Sequence, residues 1–201
     1  MIVSKQKFQI DIRPGFIVFL CAYYYFDPAE SFFPFLFSVT AHEAGHLLAL
    51  YAFHVPIQKL TLTAGGAVME TPVLSYRREL IAAAMGPAIN LLLFLVLIHA
   101  MPMFSLINFF LLAYNMLPFY PLDGGRILRA ILSMLCRPRT AKIIEKCITV
   151  IGMLFLVCFC VYLTCVWHAG LWPVLLCAII MVKIGTTVSG KNFFICMYVL
   201  K

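Results

Sequence analysis

Residues 42–46 read His42-Glu43-Ala44-Gly45-His46, the pattern H-E-x-x-H. On a helix, positions four apart share one face, so both imidazoles can reach a single metal ion. Glu43 sits beside them, near enough to take a proton from water bound to that ion. Zinc suits this set, because imidazole binds it well and a catalytic site uses three protein ligands plus water. Water bound to it has a pKa of about 7, so hydroxide is available at neutral pH. The plainer alternative is a pair of structural histidines bridged to Glu43 between helices. Against it stands the apolar context: even one intramembrane Asp costs about 2.5–3.5 kcal/mol on insertion scales, and ionisable residues kept there mark function. A third ligand should be another His or an acid deep in the membrane. Asp123 is the candidate, in the run Asn115-Met-Leu-Pro118-Phe-Tyr-Pro121-Leu-Asp123-Gly124-Gly125-Arg126. Its two prolines break a helix and free backbone groups that only protein or a cavity can satisfy at membrane depth. The two glycines let the chain turn tightly and bring the carboxylate to the metal. Alone, Asp123 could equally be a helix end paired to Arg126 or Arg129. With H-E-x-x-H on an antiparallel neighbour, the ligand reading prevails.

These residues need elements to hold them, and the composition says which kind. Of 201 residues, 64% are hydrophobic and 11% charged, with a mean hydropathy of +1.00. Soluble domains carry roughly a quarter charged residues, so a soluble monomer is excluded, as is disorder. The eight cysteines fall mostly in apolar runs without a CxxC pair and read as small buried hydrophobes rather than a disulfide framework or a zinc site. A spanning helix needs about 20 apolar residues. The candidates are 14–26 (short), 31–53, 81–98, 102–122, and the long run 147–182, split into a fifth and a sixth span by HAGLWP. The polar stretch 54–79 contains TLTAGGAVME, whose β-branched residues around Gly65-Gly66 predict a short hairpin. The fifteen Lys and Arg residues precede span one, join spans two and three, follow span four, or follow span six. All therefore fall on one side, which the positive-inside rule makes the cytoplasm, with both termini in it. The net charge of +7 is a topology signal spread along the chain, and no nucleic acid is expected as partner. The N-terminal apolar run has no small-residue cleavage site and reads as an uncleaved anchor. The expectation is an all-α polytopic membrane protein of about six transmembrane helices, with a short membrane-associated β-hairpin near the active site. It forms one domain over 1–201, with a catalytic core at about 31–126.

HEAGH in one span and NMLPFYPLDGG in another resemble the site-2 protease family of intramembrane zinc metalloproteases. Gly86-Pro87-Ala88-Ile89-Asn90 in the third span is a further match. TAGGAV resembles the Gly-Gly hairpin that in the family dips into the membrane near the metal. The resemblance covers about half the chain, 38–126. It implies one Zn2+ held by His42, His46 and Asp123, with Glu43 as general base and Asn115 near the scissile bond. It implies a bilayer-embedded endopeptidase that cuts peptide bonds in or next to transmembrane segments of membrane-tethered proteins, with a membrane-embedded regulatory partner. The layout looks most like the bacterial sporulation branch, which cleaves a sigma-factor precursor, and so implies a multi-pass protein of the bacterial plasma membrane. Neither the nucleotide-binding CBS domain usual in that branch nor the PDZ domain of others is expected within these 201 residues. Two rival readings are a membrane metal-binding or transport protein and a catalytically silent relative. A transport path needs several ligand clusters and one is found; the intact H-E-x-x-H speaks against silence. Asn90 could instead bridge helices in the core, and Asn115 could satisfy backbone freed by Pro118. His54, His99 and His168 are expected at span ends, and Trp167 and Trp172 in an interfacial aromatic belt.

Overall fold

The computed structural model describes residues 9–27, 30–63 and 66–166. The chain is mostly helical with one small sheet, and divides into two compact units, Met1–Asn115 and Met116–Lys201. The sixth span, the HAGLWP turn, His168 and both tryptophans lie outside the described residues.

In the first unit, strand β1 (Gln9–Ile12) leads into helix α1 (Pro14–Phe26). Pro14 opens the helix, where its missing N–H would have had no partner anyway. After α1, the Asp27 carboxylate accepts from the Phe32 N–H at 2.6 Å and the Ser31 hydroxyl at 2.8 Å. That satisfies an orphan donor in the first turn of α2 (Phe32–Ala52). Tyr23 and Phe35 stack edge to face across the two helices at 4.9 Å.

Helices α2 and α3 (Tyr76–Leu97) run antiparallel, because His46 meets Ala82 while His42 meets Gly86 one turn along. Small residues let them approach. A Cβ on Gly45 would lie 2.8 Å from the Met85 carbonyl oxygen, and Ala82 and Ala83 are almost fully buried. Helix α4 (Pro102–Asn115) returns along α3, joined by the Ser105 hydroxyl donating to the Phe94 carbonyl at 2.8 Å.

The predicted hairpin forms: β2 (Lys59–Thr63) pairs antiparallel with β3 (Gly66–Glu70). The sheet has a third strand that the sequence reading did not foresee. β1 pairs parallel with β2, giving the order β1-β2-β3. Gln-Ile-Asp-Ile alternates polar and apolar, but at four residues it is at the shortest length from which a strand can be read. A parallel partner also becomes available only after α1 and α2 have carried the chain away and back. The Asp11 carboxylate 3.1 Å from Lys59 Nζ ties the pair.

In the second unit, residues 116–122 form an irregular loop between α4 and α5 (Asp123–Leu135), and α6 (Pro138–Cys165) follows. Helix α4 stops at Asn115, seven residues short of the expected span end at 122, because Pro118 and Pro121 break the helix earlier, and Asp123 opens the next helix rather than ending this one. Helix α6 starts nine residues before the expected span at Cys147, because Arg139, Lys142, Glu145 and Lys146 form a polar first stretch of the same helix. Among the described residues, α3 and α6 are long and apolar enough to cross a membrane, with mean hydropathy 2.4 and 2.5, while α1 and α4 are apolar but shorter. Helix α2 matches them in length, but its central His-Glu-x-x-His lowers its hydropathy.

Candidate metal centre

The middle of α2 brings His42 and His46 together. Both are buried, and their Nε2 atoms lie 3.2 Å apart with the rings nearly perpendicular. His46 Nδ1 is 2.7 Å from the Ala82 carbonyl oxygen. A carbonyl only accepts, so Nδ1 carries the proton and Nε2 presents its lone pair. Two nitrogens each about 2.0–2.1 Å from a tetrahedral zinc are roughly 3.3–3.4 Å apart. The observed spacing fits two ligands of one ion.

Gly86 of α3 makes the wall against which the imidazoles rest. A Cβ there would lie 2.3 Å from His46 Nε2 and 2.8 Å from His42 Cε1, so any side chain would occupy the imidazole positions. The sequence reading had marked Gly86 only as part of a matching run; its contact with the histidines emerges from the packing of α2 on α3.

Glu43 reaches towards the hairpin. Its Oε1 lies 3.5 Å from the Ala67 N–H. That N–H leaves the outer edge of β3. Ala67 opposes Leu62, whose carbonyl accepts from the Arg13 N–H on the β1 side. The pair Leu62–Ala67 therefore exchanges no bonds between β2 and β3, and the Ala67 polar groups point away from β2. With β2 engaged on both sides, β3 presents a strand edge beside Glu43.

In the second unit, Asp123 is the first residue of α5, where the helix dipole favours a negative charge. It is buried, and its Oδ1 lies 3.3 Å from Arg126 Nη1. One of the two cationic partners offered by the sequence is thus present; the other, Arg129, binds Glu145 instead. A carboxylate oriented by a neighbouring cation is still a suitable metal ligand. The glycines after Asp123 act differently from expectation. They do not make the turn but lie in the first turn of α5, pressed on the loop before it. A Cβ on Gly124 would sit 2.3 Å from the Met116 carbonyl oxygen, and one on Gly125 2.3 Å from the Tyr120 nitrogen.

The loop is also held from α6. Phe119 is buried over Gly152, where a Cβ would come within 2.6 Å of its ring. Arg129 lies over the Tyr120 ring at 3.8 Å, and its Nε donates to both Glu145 oxygens at 3.1 and 3.2 Å. Sequence reasoning missed this bracket, since partners sixteen residues apart on different helices leave no local pattern.

Asn115 ends α4 with its amide donating to the Leu111 carbonyl at 3.1 Å. Asn90 is fully buried in α3. His54 and His99 are at helix ends, as expected. His42, His46 and Asp123 are each buried. Two imidazoles and a carboxylate are a donor combination suited to zinc.

Residues 96–159 match the model of Peptidase family M50. The chain is 33% identical over 135 residues to the zinc metalloprotease MJ0392 of Methanocaldococcus jannaschii, covering 59% of this chain and 40% of that protein. It is 32% identical over 109 residues to the protein sll0528 of Synechocystis sp., covering 47% of this chain and 29% of that one. The chain thus spans well under half the length of both relatives. The solved structure of the site-2 protease from Methanocaldococcus jannaschii superposes with a TM-score of 0.59 at 24% identity, over 89% of each chain. This is a likeness of fold.

Proposed function

From the match of residues 96–159 to Peptidase family M50 and the identity shared with the zinc metalloprotease MJ0392, we infer that this chain is a site-2 protease, an intramembrane zinc metalloendopeptidase acting on membrane-tethered proteins. His42, His46 and Asp123 would hold the ion. The observation that carries the reading is the pair of Nε2 atoms 3.2 Å apart, with His46 oriented by the Ala82 carbonyl and the acid Glu43 next to them in the helix. Bound zinc supplies a Lewis acid for the scissile carbonyl and lowers the pKa of a water to about 7. Glu43 takes the proton of the attacking water and passes it to the leaving amine. A peptide bond inside a helix is shielded, so the substrate must unwind. The outer edge of β3, with the Ala67 N–H beside Glu43, offers main-chain partners to an extended segment. Asn115 donates from its second amide hydrogen to the oxyanion or to the substrate strand.

The substrate class is a transmembrane or membrane-adjacent segment; a sigma-factor precursor, as in the sporulation branch that the motifs resemble, is the specific case. Six spans with cytoplasmic termini would place the centre towards the cytoplasmic face. That reading is supported by the one-sided Lys and Arg residues.

The test uses purified wild type, Glu43→Gln and Asp123→Ala, assayed for zinc content and for cleavage of membrane-tethered substrates. Glu43→Gln keeps the shape but cannot accept the proton, so cleavage should fall by about 10²–10⁴-fold with zinc retained. Substantial cleavage by this variant would remove Glu43 from the role of base. Asp123→Ala should lose zinc as well as activity; full zinc occupancy there would point to another ligand, Glu70 first.

A further inference from the structure

One turn along from the metal-binding histidines, the first unit buries a second polar group that the chemistry above does not use. Ser38 stands four residues before His42 on α2, and Asn90 four residues after Gly86 on α3. Each therefore shares a face with the residue that contacts the opposite helix. The antiparallel pairing that sets His42 by Gly86 carries Ser38 towards Asn90 on the next turn. Helix α4 adds Asn108, whose amide donates to the Ser38 hydroxyl at 2.9 Å. All three side chains are fully buried, at 0% exposure.

The hydrogen bonds in this layer do not close. Asn108 spends both amide hydrogens, on Ser38 Oγ and on the Phe104 carbonyl at 2.9 Å. Ser38 spends its hydrogen on the Pro34 carbonyl at 2.7 Å. Asn108 Oδ1 and both polar atoms of Asn90 have no partner among the described residues. A direct bond from Asn90 to Asn108 Oδ1 would leave Asn90 Oδ1 without a donor, because neither other side chain has a hydrogen left. Each buried, unsatisfied polar group leaves its lost hydration uncompensated. One molecule that accepts one hydrogen bond and donates two completes the set. Water does this, and buried waters typically make about three such bonds.

We propose that Asn90, Asn108 and Ser38 form a binding site for an internal water that accepts from Asn90 Nδ2 and donates to Asn90 Oδ1 and Asn108 Oδ1. This water joins α3 to α4, and through Asn108 and Ser38 to α2, about 6 Å along the axis from His42. It fixes the helix that carries both histidines against its two neighbours. The site does not depend on the chain being a protease.

The experiment is X-ray radiolysis of the full chain in lipid nanodiscs, in water carrying the heavy oxygen isotope. Label is read at Phe104, whose carbonyl accepts from Asn108, and at Phe94, whose carbonyl accepts from Ser105 one turn away on α4, against Phe110 and Phe155, which face outward on α4 and α6. A held water should label Phe94 or Phe104 severalfold faster than the outward rings, and Asn90→Leu and Asn108→Leu should each remove the excess. Thermal unfolding gives a second reading of opposite sign for the two cases. If Asn90 binds water, Asn90→Leu strands Asn108 Oδ1 and lowers Tm; if it is merely unpaired, the apolar replacement raises Tm. Equal labelling of all four rings in wild type, or excess labelling that survives both substitutions, would overturn the proposal. Should Asn90→Leu not fold, the wild-type rates and Asn108→Leu still decide.

Discussion

At the scale of single residues, the centre depends as much on what is missing as on what is present. Gly86 has no side chain, and the two imidazoles lie where one would be. A Cβ 2.3 Å from His46 Nε2 cannot be accommodated by small shifts, because α3 is itself held close to α2 at Gly45. Gly86→Ala should therefore displace His46, break its bond to the Ala82 carbonyl and sharply reduce zinc retention, although no donor atom has been removed. Overpacking of this kind costs about 1–3 kcal/mol. Zinc content after dialysis against a weak chelator checks it, and a variant holding zinc like wild type would show that α3 can move away. Glu43→Gln should behave in the opposite way, retaining zinc and losing turnover. The two substitutions separate holding the ion from using it.

At the scale of elements, the strongest contrast is between α2 and the loop 116–122. A regular helix sets the spacing of His42 and His46 by its own period. The loop has no such period, and its shape comes from contacts to α5 and α6. Gly124 and Gly125 admit its backbone, Phe119 fills the space over Gly152, and Arg129 clamps Tyr120 while bonded to Glu145. Removing the clamp with Arg129→Ala should cost about 1–2 kcal/mol, from a partly exposed ion pair and a cation–π contact together. It should also loosen Asp123 at the loop's end. The double exchange Arg129→Glu with Glu145→Arg should restore part of the ion pair but not the contact with Tyr120. Thermal unfolding in detergent with zinc titration measures both. An unchanged Tm in Arg129→Ala would mean that Phe119 and the glycines hold the loop unaided.

For the molecule as a whole, the question is which way it faces. The charge distribution predicts that residue 201 and the 54–79 connection lie in the cytoplasm, and that the turn near Met101 lies outside. Cleavage would then release the cytoplasmic part of a substrate inward. Reporter fusions at residue 201 and near Met101 check this. A Met101 turn found inside would overturn the span count and the direction of release together.

Much of the site was legible in the chain because its spacing rules are local. H-E-x-x-H places two imidazoles on one helical face wherever a helix forms, prolines three apart end a helix, and a Gly-Gly pair between β-branched residues makes a hairpin. Such features follow from backbone period and sterics within a few residues, so α1 and the hairpin appear where the sequence alone puts them, while the prolines end α4 at Asn115, earlier than the span expected to reach 122. Other features are contacts between segments distant in sequence, and only tertiary structure decides them. Strand β1 acquires its meaning when two helices bring β2 beside it. Gly86 becomes the histidines' wall only by the register of α3 against α2. Arg129 chooses Glu145 over Asp123 through the pairing of α5 with α6. Asn90 could be read from sequence as catalytic or as a bridge between helices. Its place in a fully buried layer with Ser38 and Asn108 follows from three helices packed at one depth, where an amide cut off from solvent must find its hydrogen bonds inside.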